Sequence, residues 1–241
     1  MTTRKYRHLF FDLDNTLWDF NLNSYHAPWE NFIRYRLDLQ VFERFYEIYI
    51  IHNERLWELY RQNGITKEEL SMSRFELSFR ETGIEGVDSV DFNREYLMLM
   101  PLQTRLCDGA LHVLERLSER YEMHIITNGF AEVQYKKLGN SDLSRFFKKV
   151  FVSEEIKSPK PSPEIFRHAM KSCNARKKES LMIGDSWEVD IVGAAGIGMD
   201  QVYYHPAGEE EPGEYSGWIR ESNSGTCTYH IRRLDELLEI L

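Results

Sequence analysis

The sequence predicts an α/β protein, a parallel sheet covered by helices on both faces and interrupted by a helical insertion. Three observations lead there. From Pro101 onward, short apolar runs alternate with amphipathic helical segments. An apolar run near the amino terminus has the character of those later runs, so it belongs to the same sheet. Between them, from about residue 20 to 100, the pattern is helical with almost no strand-like alternation.

Residues 6–14 read as a buried strand, best defined over 7–13, that runs into "DLD". Asp12 and Asp14 are two residues apart, so on an extended chain their side chains point the same way. In the insertion, "ENFIRYRL", "VFERFYEIYIIHNERLWELY" and "EELSMSRFELSFRE" place apolar residues at three- and four-residue spacing. Asn63-Gly64 reads as a stop, and Thr66 as an N-cap with Glu69 three residues on. Then come a helix over 108–120, a strand over 121–129 closed by Asn-Gly, a helix over 130–139 and a strand over 148–154. The next helix, 162–173, has Ser162 as N-cap and Pro163 in its first position. Strand 180–185, helix 188–198 and strand 201–205 continue the alternation, and "TYHI" (228–231) leads into a last helix over 232–241.

The formal net charge of -9 excludes a nucleic-acid polymer or an anionic membrane surface as partner, while leaving room for a local cationic pocket that holds a small phosphate. No run approaches the roughly 20 apolar residues of a membrane helix. The opening apolar run is too short for a secretion signal. Cys107, Cys173 and Cys227, odd in number and widely spaced, form neither a disulfide framework nor a zinc pattern. They are expected as small core residues of a cytoplasmic protein. "GEEEPGEYSGW" (208–218) reads as an acidic surface loop.

In an open parallel sheet the ligand lies beyond the carboxyl ends of the strands. The first strand ends there in Asp12 and Asp14, and the second in Thr127-Asn128-Gly129. The third is followed by "KSPKPSPE" with Lys160, and the fourth by "GDSWEVD" with Asp185 and Asp190. Taken singly, each is an ordinary turn, cap or solvated loop; together and in this order they describe one site. Two unit charges about 4 Å apart interact by about 4 kcal/mol at an effective dielectric of 20. A cluster of carboxylates is therefore best explained by a divalent cation, and all-oxygen ligation suits Mg²⁺.

"DLDNT", "ITNG", "SPKPSPEIF" and "GDSWEVD" resemble the four ordered motifs of the haloacid dehalogenase superfamily. The resemblance implies a Rossmann-like catalytic core over 1–17 and 101–241, with a helical cap domain inserted over 18–100. It implies Asp12 as nucleophile forming an aspartyl-phosphate, and Asp14 as the acid that protonates the leaving oxygen and then the base that deprotonates water. Thr127, with Asn128 and Gly129, would hold the phosphoryl oxygens, and Lys160 would balance charge. Asp12, Asp185 and the backbone carbonyl of Asp14 would bind Mg²⁺, with Asp190 orienting its water shell. "NGITKEEL…SRFE" and "ITNGF" are similar to bacterial pyrimidine nucleoside 5'-monophosphatases. Trp18, Trp57, Tyr60 and Arg74 are candidates for contacting the base or sugar, since aromatics stack and Arg bonds a carbonyl edge.

The expected partner is a small phosphorylated metabolite, and the expected assembly a monomer or homodimer. A sugar phosphatase or phosphomutase of the superfamily stays open, as does a phospho-accepting or scaffold protein. A dehalogenase uses the same nucleophile on carbon; Asp14, Asp185 and Asp190 speak against it.

Overall fold

The computed structural model describes residues 5–206, the backbone of 219–221 and residues 225–241. The acidic segment 208–218 lies outside the described residues. The chain divides into two compact units, Met1–Phe20 with Arg105–Leu241, and Asn21–Thr104. No helix among the described residues is long and apolar enough to cross a membrane.

The first strand, β1 (His8–Phe11), is buried along its whole length. Four helices follow: α1 (Phe20–Arg34), α2 (Phe42–Arg61), α3 (Lys67–Thr82) and α4 (Ser89–Leu99). The spacing read from the sequence turns Phe42, Phe45, Tyr49, His52 and Leu56 to the buried face of α2. The core of this unit is aromatic: ring centroids are 4.7 Å apart for Phe32–Phe45, 5.4 Å for Phe45–Phe79 and 4.9 Å for Phe75–Phe92. At the start of α3, Thr66 Oγ1 accepts from the Glu69 backbone N–H at 3.1 Å and the Glu69 carboxylate accepts from the Thr66 N–H at 2.7 Å. This reciprocal cap is the one that Thr66 and Glu69 predict.

Back in the first unit come α5 (Ala110–Ser118), β2 (Glu122–Thr127), α6 (Ala131–Asn140), β3 (Lys149–Val152) and a single turn, α7 (Ser153–Ile156). They are followed by α8 (Pro163–Ser172), β4 (Ser180–Gly184), α9 (Val192–Ala195), β5 (Asp200–Tyr204), β6 (Ile219–Glu221), β7 (Cys227–Ile231) and α10 (Leu237–Ile240). The strands form one sheet in the order β3-β2-β1-β4-β5-β7-β6. All neighbours are parallel except β6, which runs antiparallel to β7. The chain builds from β1 out to β3, crosses back to β4 and builds the other way. The order therefore reverses between β1 and β4, where an open sheet leaves its crevice.

One expectation is revised and one refined. The helix expected over 188–198 is a wider π turn, Trp187–Ile191, followed by the short α9. The three cysteines are free thiols, partly rather than fully buried, and Cys173 packs against the core cluster.

Candidate active site

Phe11 of β1 is in register with Ile183 of β4, and the Asp12 N–H donates to the Ile183 carbonyl at 2.9 Å. Asp12 and Asp185 therefore leave neighbouring strands side by side. Beyond Asp12 the chain turns at once: the Asn15 N–H donates to the Trp18 carbonyl at 2.8 Å, with Asn15 at φ 57°. That left-handed conformation favours Asn over most residues. The π turn brings up Asp190, whose Oδ2 accepts from the Ser186 N–H at 3.2 Å. Gly184 is needed there, because a Cβ would lie 2.4 Å from Asp190 Oδ2.

Lys160 is 1% exposed. Its Nζ donates to Asp12 Oδ1 at 2.5 Å and to Asp190 Oδ1 at 2.6 Å. Its backbone is fixed by Asn128, whose Nδ2 donates to the Lys160 carbonyl at 3.0 Å and whose Oδ1 accepts from the Lys160 N–H at 2.8 Å. The turn after β2 is thus stapled to the lysine loop. Asp12, Asp185 and Asp190 each offer a carboxylate oxygen within 4.8 Å of the others, and Thr16 Oγ1 donates to Asp185 Oδ1 at 3.1 Å.

This is more negative charge than one ammonium balances. Burial pushes the Asp12 carboxyl up to about 7; Lys160 opposes the shift, while Asp190 and Asp14 add to it. Burial also raises Asp185 well above the usual carboxylate range, with Asp12 as the next cause. Burial works against the Lys160 ammonium, but Asp12 and Asp190 together outweigh it and hold its pKa above the ordinary value. Three oxygen donors short of positive charge fit a hard divalent cation.

Beside this cluster stands a second one. Thr127 Oγ1 accepts from Gln134 Nε2 at 2.6 Å and from the Gly129 N–H at 3.3 Å. The same Gln134 Nε2 donates to Asp14 Oδ2 at 2.9 Å, and Lys137 Nζ donates to Asp14 Oδ1 at 2.6 Å. Lys137 also lies 4.0 Å from the centre of the Trp18 ring. Its pKa is lowered by burial, with Asp14 pulling the other way.

The family of haloacid dehalogenase-like hydrolases matches residues 6–198. The chain belongs to that family. HAD-hydrolase YfnB of Bacillus subtilis is 30% identical over 99% of this chain and 96% of its own length. The YfnB structure, solved bound to magnesium, superposes with a TM-score of 0.85 over 99% of both chains. Pyrimidine 5'-nucleotidase PynA of Streptococcus pneumoniae is 31% identical over 98% of this chain and 95% of its own. Glyceraldehyde 3-phosphate phosphatase of Pyrococcus furiosus is 29% identical over 99% of this chain and 94% of its own. Within the family the chain is a phosphoric monoester hydrolase.

In this haloacid dehalogenase-like hydrolase, Asp12, Asp14, Thr127, Asn128, Gly129, Lys160, Asp185 and Asp190 all lie in the sheet unit, joined by the contacts above. Trp57 and Tyr60 belong to the helical unit, half-buried on α2 with ring centroids 5.6 Å apart. Two of the residues expected to contact a base or sugar are buried in their own units. Arg74 is 3% exposed, and its guanidinium donates to Asn93 at 2.6 and 3.0 Å and to Asn53 at 3.4 Å. It is an internal cation of the helical unit, because an Arg can be buried only where acceptors surround it. Trp18 is fully buried in the sheet unit, its ring against Lys137.

Sequence reasoning missed Thr16, Gln134 and Lys137. A signal was present for two of them: the buried stripe of α6 is Val133, Gln134, Lys137 and Leu138, so an amide and an amine occupy positions where helical periodicity asks for apolar residues. His8, Glu122 and His124 form another group, at the amino ends of β1 and β2. They are paired among themselves and with Arg7: His8 Nδ1 is 3.4 Å from His124 Nε2, and Arg7 donates to Glu122 at 2.8 Å.

Proposed function

We propose that the chain is a Mg²⁺-dependent phosphomonoesterase that works through an aspartyl-phosphate on Asp12, with pyrimidine nucleoside 5'-monophosphates as substrates. The observation that carries the reading is the buried Asp12–Lys160–Asp190 cluster with Asp185 at the strand-order switch. An anionic phosphate approaches a carboxylate nucleophile only where charge is neutralised first.

The Asp12 and Asp185 carboxylates and the Asp14 carbonyl would hold Mg²⁺, with Asp190 orienting its water shell. When bound, Mg²⁺ supplies positive charge against the carboxylates and the phosphoryl oxygens. Asp12 attacks phosphorus as the ester bond breaks, and Asp14 gives a proton to the leaving oxygen. Asp14 then takes a proton from the water that attacks phosphorus, which frees Asp12 and releases phosphate. Lys160 holds Asp12 in place and lowers the repulsion that phosphate meets. Thr127 and the backbone N–H group of Asn128 receive the phosphoryl oxygens. Trp57 and Tyr60 are the residues of the helical unit with the chemistry to stack on a base.

The pyrimidine reading rests on the PynA relative. A triose-phosphate substrate is the second reading, favoured by the Pyrococcus furiosus relative. Three free thiols are in keeping with a reducing cytoplasm. A phosphate-release screen over nucleoside monophosphates and sugar phosphates, with Mg²⁺ and with EDTA, tests both. Pyrimidine 5'-monophosphates should lead in Mg²⁺ and all turnover should stop in EDTA. Preference for triose phosphates overturns the substrate, and undiminished turnover in EDTA overturns the metal.

A further inference from the structure

Helix α6 carries two polar side chains in its apolar stripe, Gln134 at 0% exposure and Lys137 at 2%. A core rejects such groups unless they are paired, and both find their partners on the catalytic side. Lys137 takes one oxygen of Asp14 at 2.6 Å and Gln134 takes the other at 2.9 Å. They are three residues apart on one face of a helix, so the carboxylate is gripped from a single rigid element.

We propose that Gln134 and Lys137 are positioning residues for this reaction. Together they fix the Asp14 carboxylate for proton transfer, and Gln134 also fixes the Thr127 hydroxyl so that its proton faces the phosphoryl oxygen. This rests on the roles given above to Asp14 and Thr127.

Hydrogen-bond arithmetic supports it. A carboxylate only accepts, so the amide must turn its nitrogen to Asp14. That nitrogen has two protons, and they go to Asp14 Oδ2 and Thr127 Oγ1. A hydroxyl has two lone pairs and one proton. Gln134 and the Gly129 N–H occupy both lone pairs of Thr127 Oγ1, leaving the proton for substrate.

The same amide leaves its own oxygen, Gln134 Oε1, buried with no hydrogen-bond partner among the described residues. An unpaired buried carbonyl costs about 1–3 kcal/mol. The side chain therefore sits where its two donors are used, rather than where all its atoms are satisfied. Gly129 makes room for it: a Cβ there would lie 2.4 Å from Gln134 Cδ. The Lys137 ammonium is steadied by the Trp18 and Phe20 rings, 4.0 and 5.4 Å from their centres.

The test compares Lys137→Met, Lys137→Arg, Gln134→Leu and Gln134→Asn in the full chain, with p-nitrophenyl phosphate and saturating Mg²⁺. It reads kcat, KM, the acid-stable fraction of covalently phosphorylated enzyme, Mg²⁺ affinity by calorimetry, and the melting temperature. A misplacement of about 1 Å in a catalytic group costs up to about a hundredfold. Lys137→Met should thus lower kcat by about tenfold to a hundredfold, with KM falling alongside it as the phosphorylated enzyme accumulates, and Lys137→Arg should regain most of that. The phosphorylated fraction should rise in Lys137→Met, since hydrolysis of the intermediate needs Asp14 as base. Gln134→Asn, which keeps the amide but draws it back by one methylene, and Gln134→Leu should lower kcat and raise KM together, because Thr127 loses its orientation. Mg²⁺ affinity should stay at the parent value in every variant.

Folded variants with kcat within about twofold of the parent overturn the proposal. So does a loss that tracks the melting temperature or the Mg²⁺ affinity and is not recovered by Lys137→Arg. Asp12→Asn run alongside separates the two layers. If it is inactive while Lys137→Met is fully active, only the positioning role fails; if it keeps its activity, the aspartyl-phosphate reading fails first.

Discussion

Replacing Gly184 by Ala should damage the site without touching a charged group. The new Cβ would stand 2.4 Å from Asp190 Oδ2 and 2.6 Å from Asp190 Cβ, where ordinary contact begins near 3.4 Å. The strand cannot give way, because β4 is paired to β1 on one side and β5 on the other and is buried throughout. Asp190 must therefore move by about 1 Å, the gap between those contact distances. Moved that far from Lys160, the 2.6 Å ion pair opens to about 3.6 Å, beyond hydrogen-bond range. At an effective dielectric of 20 the attraction falls from about 6 to about 4.5 kcal/mol. Loss of a hydrogen bond between charged groups overlaps with this and is worth about 1.5–3 kcal/mol. Urea unfolding of the metal-free variant should show about 2–3 kcal/mol less stability, and kcat in Mg²⁺ should fall at least about tenfold as Lys160 and Asp190 lose their fixed geometry. A loss below about 0.5 kcal/mol with unchanged kcat would refute the reasoning, for it would mean that Asp190 is not seated against the strand.

Other perturbations read other parts of the structure. Lys160→Met leaves Asp12 and Asp190 buried without their cation, so urea unfolding near neutral pH should show a loss of about 3–5 kcal/mol. Asp12 sits at about 7 when folded against 3.8 ordinarily, so its contribution to the metal-free protein is fully present below about 3.8 and is lost as pH rises through 7. In EDTA, the melting temperature of Asp12→Asn should accordingly gain on the parent between about pH 4 and about pH 7, and a constant difference would contradict the raised carboxyl. Thr66→Ala removes the α3 cap and should cost about 1 kcal/mol in unfolding with kcat unaffected. Asp14→Asn should retain Mg²⁺ binding in calorimetry while turnover falls by about a hundredfold or more.

Much of the site was legible because its residues stand where strands end, and strand ends can be read from the change of period. Asp12, Thr127 and Asp185 each follow a run of apolar residues that can only be a covered strand. Lys160 was legible from its place in the motif, although a lysine between two prolines carries no sign that it will be buried. The burial of Arg74 and Trp18 was not legible, for the complementary reason. An Arg or Trp reads alike in the sequence whether it faces a ligand or an interior, and the asparagines that make Arg74 internal are 19 and 21 residues away.

What the sequence determined by itself was most of the elements and the chemistry of their ends, since periodicity, caps and turn residues act over a few neighbouring positions. What only the tertiary structure decided was which side chains share an atom's surroundings. Strand order put β1 beside β4, and so Asp12 beside Asp185, across 173 residues of chain. The π turn, rather than the expected helix, set Asp190 against Gly184, and α6 laid Gln134 and Lys137 on Asp14. Local propensity carries no information on such meetings. They follow from how a sheet orders its strands and from the few ångströms within which buried charges must find partners.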